Sequence, residues 1–363
     1  MTLKLRNLAF KLHRYIGLFV GVILVIVGLT GSLLVFSHEL DQILIEQQFG
    51  RVIPQEKTLP LGAIADTVKT AYADRPDFKL AQFDLHPHAN AYRIRLRNSE
   101  DKDLEVFVNP YTGEILGDRP RDSSFFSRVV RLHYTLFAGE IGTVIVGIVA
   151  LLLCILSVTG LILWPGWRKL IAGFKIKWNT RTKRRNFDIH KVVGIVFVIF
   201  LAMTGFTGFI WNFYDQTEPI IYAATFTPKP AEHKSTLVEG KAQLGIDQIV
   251  QKADAALPEA ITTFISVPTE PDGVFYIYKK QPQDAQYFAN TVEIDQYSGE
   301  VLRVVDSQNA TLGDRVLNAF VPMHYGTFGG LPTRILYVFV GLSPTILFIT
   351  GFIMYRLSKS TSF

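Results

Sequence analysis

Residues 15–37 read YIGLFVGVILVIVGLTGSLLVFS, an apolar run without one Asp, Glu, Lys or Arg. Three more blocks share that property: Ile141 to Trp164, Val192 to Tyr214 and Ile335 to Tyr355. Each is long enough to cross a hydrocarbon core of roughly 30 Å, which takes about 20 helical residues. In a 363-residue chain that is 48% hydrophobic, such clustering departs from the amphipathic periods of a water-soluble core. The sequence therefore predicts a membrane-embedded all-α core of four transmembrane helices. The first block is too long for the apolar region of a signal peptide, and Ser37, His38 and Glu39 do not form a small-residue cleavage site. It is expected to stay as an anchor.

Basic residues set the orientation. Lys4, Arg6, Lys11 and Arg14 precede the first block, and nine Lys and Arg residues from Arg168 to Lys191 crowd the connection between the second and third. With Arg356 and Lys359, these segments are expected to be cytoplasmic, as are both termini. The formal charge of +5 is thus topological and gives no reason to expect a nucleic-acid partner. Membrane lipid is the expected surrounding. Cys154, the single cysteine, has no intrachain partner, so no disulfide framework is expected.

The chain also repeats itself. Leu12-His13-Arg14 with Gly17 returns as Ile189-His190-Lys191 with Gly194, and Thr30-Gly31 returns at the same distance as Thr207-Gly208. Leu132-His133-Tyr134, Phe137 and Gly139 return as Met323-His324-Tyr325, Phe328 and Gly330. Thr159-Gly160 and Thr350-Gly351 follow them. Between the helices of each copy lie a helical period (Leu61 to Tyr72, Leu244 to Ala256) and alternating runs such as Tyr92 to Leu96 and Val274 to Tyr278. Each polar stretch ends in a turn, Asn109 to Glu114 and Asp295 to Glu300. These are expected to form two α+β domains, over 38–132 and 215–323. The transmembrane segments are then 1–37, 133–165, 190–214 and 324–363, with a basic loop over 166–189. A unit that crosses twice returns to its starting side, so the internal two-fold repeat is parallel and both domains share the non-cytoplasmic face.

Four of the eight histidines occupy repeat-matched helix ends. A two-fold axis brings His13 toward His190 and His133 toward His324, and each pair can offer imidazoles to one metal from opposite sides. Apposed imidazoles on separate helices fit axial ligation of haem iron. Zinc or copper fits less well, because two nitrogens without nearby thiolates or carboxylates leave the coordination incomplete. Gly17, Gly28, Gly31, Gly194, Gly205 and Gly208 serve either close approach of a flat macrocycle or helix packing. Arg14 and Lys191 at one pair, and Arg128 and Arg131 at the other, are either flanking charges or partners of haem propionates. His38 is a reserve ligand or a surface group; His86, His88 and His233 are expected to be solvated. No Gly-x-Gly-x-x-Gly, Walker or Cys-x-x-Cys-His motif occurs, so any haem is non-covalent and any flavin or nicotinamide belongs to a partner.

With these residues placed, the chain resembles the PepSY-associated transmembrane family, which includes iron-regulated membrane proteins. The likeness rests on the His13 to Gly17 helix start, the turns ending Gly113-Glu114 and Gly299-Glu300, the His133-Tyr134 entry and the run Thr159 to Arg168, with its Trp164-Pro165-Gly166-Trp167. Tyr355 stands where the second copy matches Trp164, without the Pro-Gly-Trp. The resemblance implies a Gram-negative inner-membrane protein with two periplasmic PepSY-like domains, and in some members a haem reductase that releases iron from ferric siderophores. On that footing the expectation is a b-type di-haem oxidoreductase. Its bis-histidine pairs would pass electrons from a cytoplasmic flavoprotein or quinol to a ferric siderophore or other ferric chelate. Tyr134 and Tyr325 are candidate contacts. The alternative is a haem-free scaffold or regulator whose PepSY-like domains bind a protein partner.

Overall fold

The structure is a computed structural model and describes residues 3–85, 91–237, 240–282 and 290–359. The first half runs α1 (Leu3–Leu34), α2 (Ser37–Phe49), α3 (Leu61–Ala71), β1 (Lys79–Asp84), β2 (Tyr92–Arg97), β3 (Asp103–Val108), β4 (Ile115–Pro120), α4 (Phe125–Thr135) and α5 (Gly139–Leu163). After a short α6 (Leu170–Phe174) the second half runs α7 (Thr182–Asn212), α8 (Tyr214–Ala224), α9 (Ile246–Ala256), β5 (Ile261–Ser266), β6 (Val274–Lys280), β7 (Asn290–Asp295), β8 (Val301–Val305), α10 (Leu312–Tyr325) and α11 (Leu331–Lys359). The chain folds into two compact units.

The helical unit takes residues 3–37, 129–221 and 319–359. Its four long helices have mean hydropathies from 2.0 to 2.9 over their most apolar stretches, and about a quarter or less of each stretch is buried. Phe19 is 83% exposed and Ile199 68%; apolar surface of that extent needs lipid to cover it. The chain is a multi-pass membrane protein. α1 packs on α5 and α11, and α7 packs on the same two. Lipid is as apolar as leucine, so close backbone approach, not water exclusion, drives this packing. A Cβ at Gly28 would stand 2.4 Å from the Gly341 carbonyl oxygen, and one at Gly341 would stand 2.6 Å from that of Gly28.

The segment expected as one helix from residue 133 is two. α4 ends at Thr135, and Leu136, Phe137 and Gly139 take positive φ of 50°, 60° and 55° before α5 begins. α10 and α11 are separated likewise, with Gly326 and Gly330 at φ 70° and 66°. His133 and His324 therefore sit on short helices of their own. α7 starts at Thr182, inside the expected basic loop, because nothing from Thr182 to Lys191 breaks a helix.

The sheet unit takes residues 38–128 and 222–318. The two expected α+β domains are not separate: their strands form one antiparallel sheet ordered β4-β3-β2-β1-β5-β6-β7-β8. The seam is β1 against β5, with Gln82 opposite Ser266, Phe83 opposite Ile265 and Asp84 opposite Phe264. A single core crosses the seam. It joins Ile64, Phe83 and Ile94 of the first half to Ile249, Ile265 and Phe275 of the second. The two expected turns are present. Asn109 Oδ1 accepts from the Tyr111 amide at 3.0 Å, Asp295 Oδ1 from the Tyr297 amide at 2.8 Å, and Gly113 and Gly299 take φ 75° and 70°.

Candidate functional site

Within the helical unit the four histidines come together in two pairs. The His13 and His190 ring centroids lie 6.0 Å apart at 83°, and those of His133 and His324 6.3 Å apart at 78°. Two imidazole nitrogens about 2.0–2.1 Å from one metal, on opposite sides of it, would put the centroids roughly 6–6.5 Å apart, against about 5 Å at a tetrahedral angle. Both pairs already have that spacing.

The positions come from threonines on neighbouring helices. His13 Nδ1 lies 3.0 Å from Thr159 Oγ1, His190 Nδ1 2.9 Å from Thr350 Oγ1, His133 Nδ1 2.9 Å from Thr30 Oγ1, and His324 Nδ1 2.7 Å from Thr207 Oγ1. Each threonine has one hydroxyl proton, and each donates it to the carbonyl four residues back: Ile155 at 2.7 Å, Ile346 at 2.7 Å, Ile26 at 2.8 Å and Met203 at 2.8 Å. The threonine oxygen must then accept, so the network assigns the proton to Nδ1 of every histidine. Nε2 is left with its lone pair, the tautomer a metal-ligating histidine needs.

The glycine after each threonine makes room for the ring. A Cβ at Gly31, Gly160, Gly208 or Gly351 would stand 3.1, 3.2, 3.5 and 3.5 Å from a histidine Cε1. Thr-Gly is thus one device used four times, with threonine orienting the imidazole and glycine admitting it. Its two halves were visible in the sequence as repeat-matched pairs, but their tie to the histidines was not, because the partners stand over a hundred positions away.

A cavity of about 920 Å3 opens beside His13 and His190. Gly17 and Gly194, each one turn after its histidine, line it. A Cβ at either would meet only one leucine, at 3.7 and 3.8 Å, so a larger side chain there would project into the cavity. Gly28 and Gly205 instead serve packing, the latter with the Ala150 carbonyl oxygen 2.9 Å from a Cβ position. Arg14 and Lys191 both line the cavity. Lys191, however, is buried and donates to Asp188 Oδ1 at 2.6 Å and the Ala172 carbonyl at 2.8 Å, so it is already engaged. Arg14 Nη2 donates to the Tyr15 hydroxyl at 2.6 Å, and among the described residues its buried Nε has no hydrogen-bond partner.

At the other pair, Trp211 packs 4.7 Å from the His324 ring and 5.7 Å from Tyr325. Tyr134 and Tyr325 are 42% and 54% exposed. Arg131 lies 6.0 Å over the Phe137 ring. Arg128 belongs to the sheet unit, where its Nε donates to the Asp122 carbonyl at 2.8 Å. His38 is the second residue of α2 and belongs to the sheet unit. His233, expected to be solvated, is half-buried with Nδ1 2.9 Å from Glu293 Oε2. His86 and His88 lie outside the described residues.

A donor set of two neutral imidazoles per site and glycines that leave a cavity beside one pair together fit a planar macrocycle with a six-coordinate iron. Among the described residues no group of three or more His, Cys, Asp or Glu gathers at a metal's distance, and two nitrogens alone leave tetrahedral zinc incomplete.

The family model described as PepSY-associated TM region matches residues 10–357. No curated protein matches the chain. Among solved structures, a Clostridium difficile 630 protein described as a lipoprotein aligns over 69% of this chain and 94% of its own, at 11% identity and a TM-score of 0.28.

Proposed function

The chain belongs to the PepSY-associated TM region family, and from that premise we propose that it is a di-haem membrane reductase acting on ferric chelates. One observation carries the reading: two histidine pairs, each imidazole held through Nδ1 by a threonine and each pair at the spacing of two ligands on one metal. Haem bound at each pair supplies a one-electron carrier. The chain's own residues hold it, fix the tautomer and exclude water with apolar helices. A haem-free scaffold has no use for four oriented Nε2 lone pairs.

The arrangement also supports a direction across the membrane. His13 and Thr30 are seventeen residues apart on α1, and Thr30 holds His133 of the other pair, so the two sites are separated by about 26 Å along the helix. That approaches the thickness of a hydrocarbon core. By the positive-inside rule, the basic segments near His13 and His190 support a cytoplasmic location for that pair. We read the halves as two copies of one unit about an axis along the membrane normal. The sheet unit is then the fusion of two periplasmic PepSY-like domains in a Gram-negative inner membrane. Electrons would enter from a cytoplasmic flavoprotein or quinol and leave to a ferric siderophore, for which Tyr134 and Tyr325 are candidate contacts. Oxygen-rich chelators hold ferric iron as a hard cation and the softer ferrous ion more weakly, so one electron loosens the complex.

The test is an absorption spectrum of protein purified in mild detergent from haem-replete cells. Bis-histidine haem gives sharp visible bands on reduction, with two haems per chain expected. A preparation without those bands would sink the reading.

A further inference from the structure

The connection between α5 and α7 takes no part in holding a histidine, yet it is firmly fixed. After α5 the Trp164-Pro165-Gly166-Trp167 turn folds the chain back, and the Trp167 indole donates to the Leu161 carbonyl at 2.6 Å. The Trp164 ring is wedged against this turn and α6, so that a Cβ at Gly166 or Gly173 would come within 2.2 and 2.5 Å of it. From α7, Lys191 Nζ donates to the Ala172 carbonyl at 2.8 Å, and Asp188 Oδ2 accepts from the Lys177 amide at 3.2 Å. One side of α6 is thereby pinned to the ends of α5 and α7.

The other side is apolar and uncovered. Leu170, Ile171 and Phe174 of α6 are exposed, Ile171 to 72%, as are Trp167 before it and Trp178 after it, the latter to 63%. Apolar surface gathered this closely is costly to leave in water. It lies at the end of a membrane-crossing helix, where Val158 and Leu161 are exposed as well. Tryptophan prefers the level of the lipid headgroups, because its ring is apolar and its edge polar. A short helix held on one side and apolar on the other suits the plane of the membrane interface.

Charge says which lipid. Arg168, Lys169, Lys175 and Lys177 bracket α6 and are exposed. The chain has no Asp or Glu from Ile141 to Phe187, and Asp188, the next acid, is buried and engaged by Lys191 and Arg184. A signal for membrane orientation needs only the positive charge; it needs neither a pinned helix nor an exposed apolar row. The second copy has neither, since α11 runs on through Tyr355, the position matched to Trp164, as far as Lys359.

We propose that residues 167–178 form a binding site for anionic phospholipid. Leu170, Ile171 and Phe174 enter the acyl boundary, the two indoles lie among the headgroups, and Arg168, Lys169, Lys175 and Lys177 hold lipid phosphates. The cations alone would equally suit an acidic soluble protein; the apolar row at the end of a membrane crossing favours lipid. The site is independent of the haem reading.

The test reconstitutes the full chain in phosphatidylcholine bilayers that carry a minor share of phosphatidylglycerol or phosphatidylcholine with brominated acyl chains, which quench nearby tryptophan. The Trp178 signal is the difference between each protein and its Trp178→Phe partner. We expect quenching by both lipids, with phosphatidylglycerol favoured about fivefold in apparent affinity at low salt, the effect of roughly one surface cation. Lys169→Gln, Lys175→Gln and Lys177→Gln combined should erase that preference and keep the quenching by phosphatidylcholine. Ile171→Ser with Phe174→Ser should weaken quenching by both. Signals of the other tryptophans report whether a variant has inserted; where the triple variant has not, the parent decides, because its preference must fall with added salt. No preference in the parent, or a preference that survives the triple variant, overturns the site. So does displacement by inorganic phosphate beyond that by chloride of equal ionic strength, which would mark a site for free phosphate. Quenching of Trp178 by aqueous acrylamide but by neither lipid would leave the segment in water, open to a protein partner, and overturns it too.

Discussion

The two histidine pairs have the same imidazole geometry but different surroundings. His13 and His190 ride on the membrane-crossing helices α1 and α7, and a cavity bordered by glycines and basic side chains opens beside them. His133 and His324 ride on the short helices α4 and α10, joined to the long ones through positive-φ turns, and Trp211 packs against one ring. Trp211 also has no aromatic counterpart, since Leu34 holds the matching place. One orienting device, Thr-Gly, therefore serves two local structures. The lesson is that the partner helix sets the orientation of each imidazole, while neighbouring side chains such as Trp211 make the surroundings of the two pairs differ.

Three measurements break or sharpen that contrast. The largest effect is expected from the ligands themselves: His13→Ala and His190→Ala should each remove the same haem and leave the other spectrally intact, and His133→Ala and His324→Ala should do the reverse. Equal loss of both haems in any single variant contradicts two independent sites. Next come the threonines. Thr159→Val and Thr30→Val keep volume but remove the acceptor for Nδ1–H, and groups that orient a metal-bound histidine are worth about 10–100-fold in affinity. Haem retention should fall by that order at the matching site only, which a transfer assay on each variant measures. Smallest is Trp211→Phe, which removes the indole beside His324. It should shift the midpoint potential of the outer haem in a redox titration and leave the inner one where it was, whereas an equal shift of both would mean the surroundings are not separate.

Much of this was legible before any coordinates. Charge-free blocks mark the crossings because a bilayer admits little else, and residues spaced alike in two copies announce that they meet alike. The histidine pairs followed from that symmetry. What symmetry hides is departure from itself: Lys191 looked equivalent to Arg14 until Asp188 was seen to engage it. Local pattern also could not show the break at Leu136, because neither leucine nor phenylalanine signals positive φ. The fusion of the two α+β segments was invisible for another reason. It depends on β1 and β5, each of which reads as an ordinary strand, and pairing across so long a stretch of chain leaves no trace in spacing.

That fusion matters while the chain is being made. Two separate four-stranded sheets would expose four edge strands; among the described residues the fused sheet has its edges at β4 and β8. Until β5 arrives, however, β1 presents an unpaired backbone edge. Asp84 and Ser266, the far ends of the seam, are about 180 residues apart, and two membrane crossings must be inserted between them. At roughly 5–20 residues per second, the open edge persists for about ten to forty seconds in every nascent chain. For that interval β1 is the edge at which strand addition by another chain is expected.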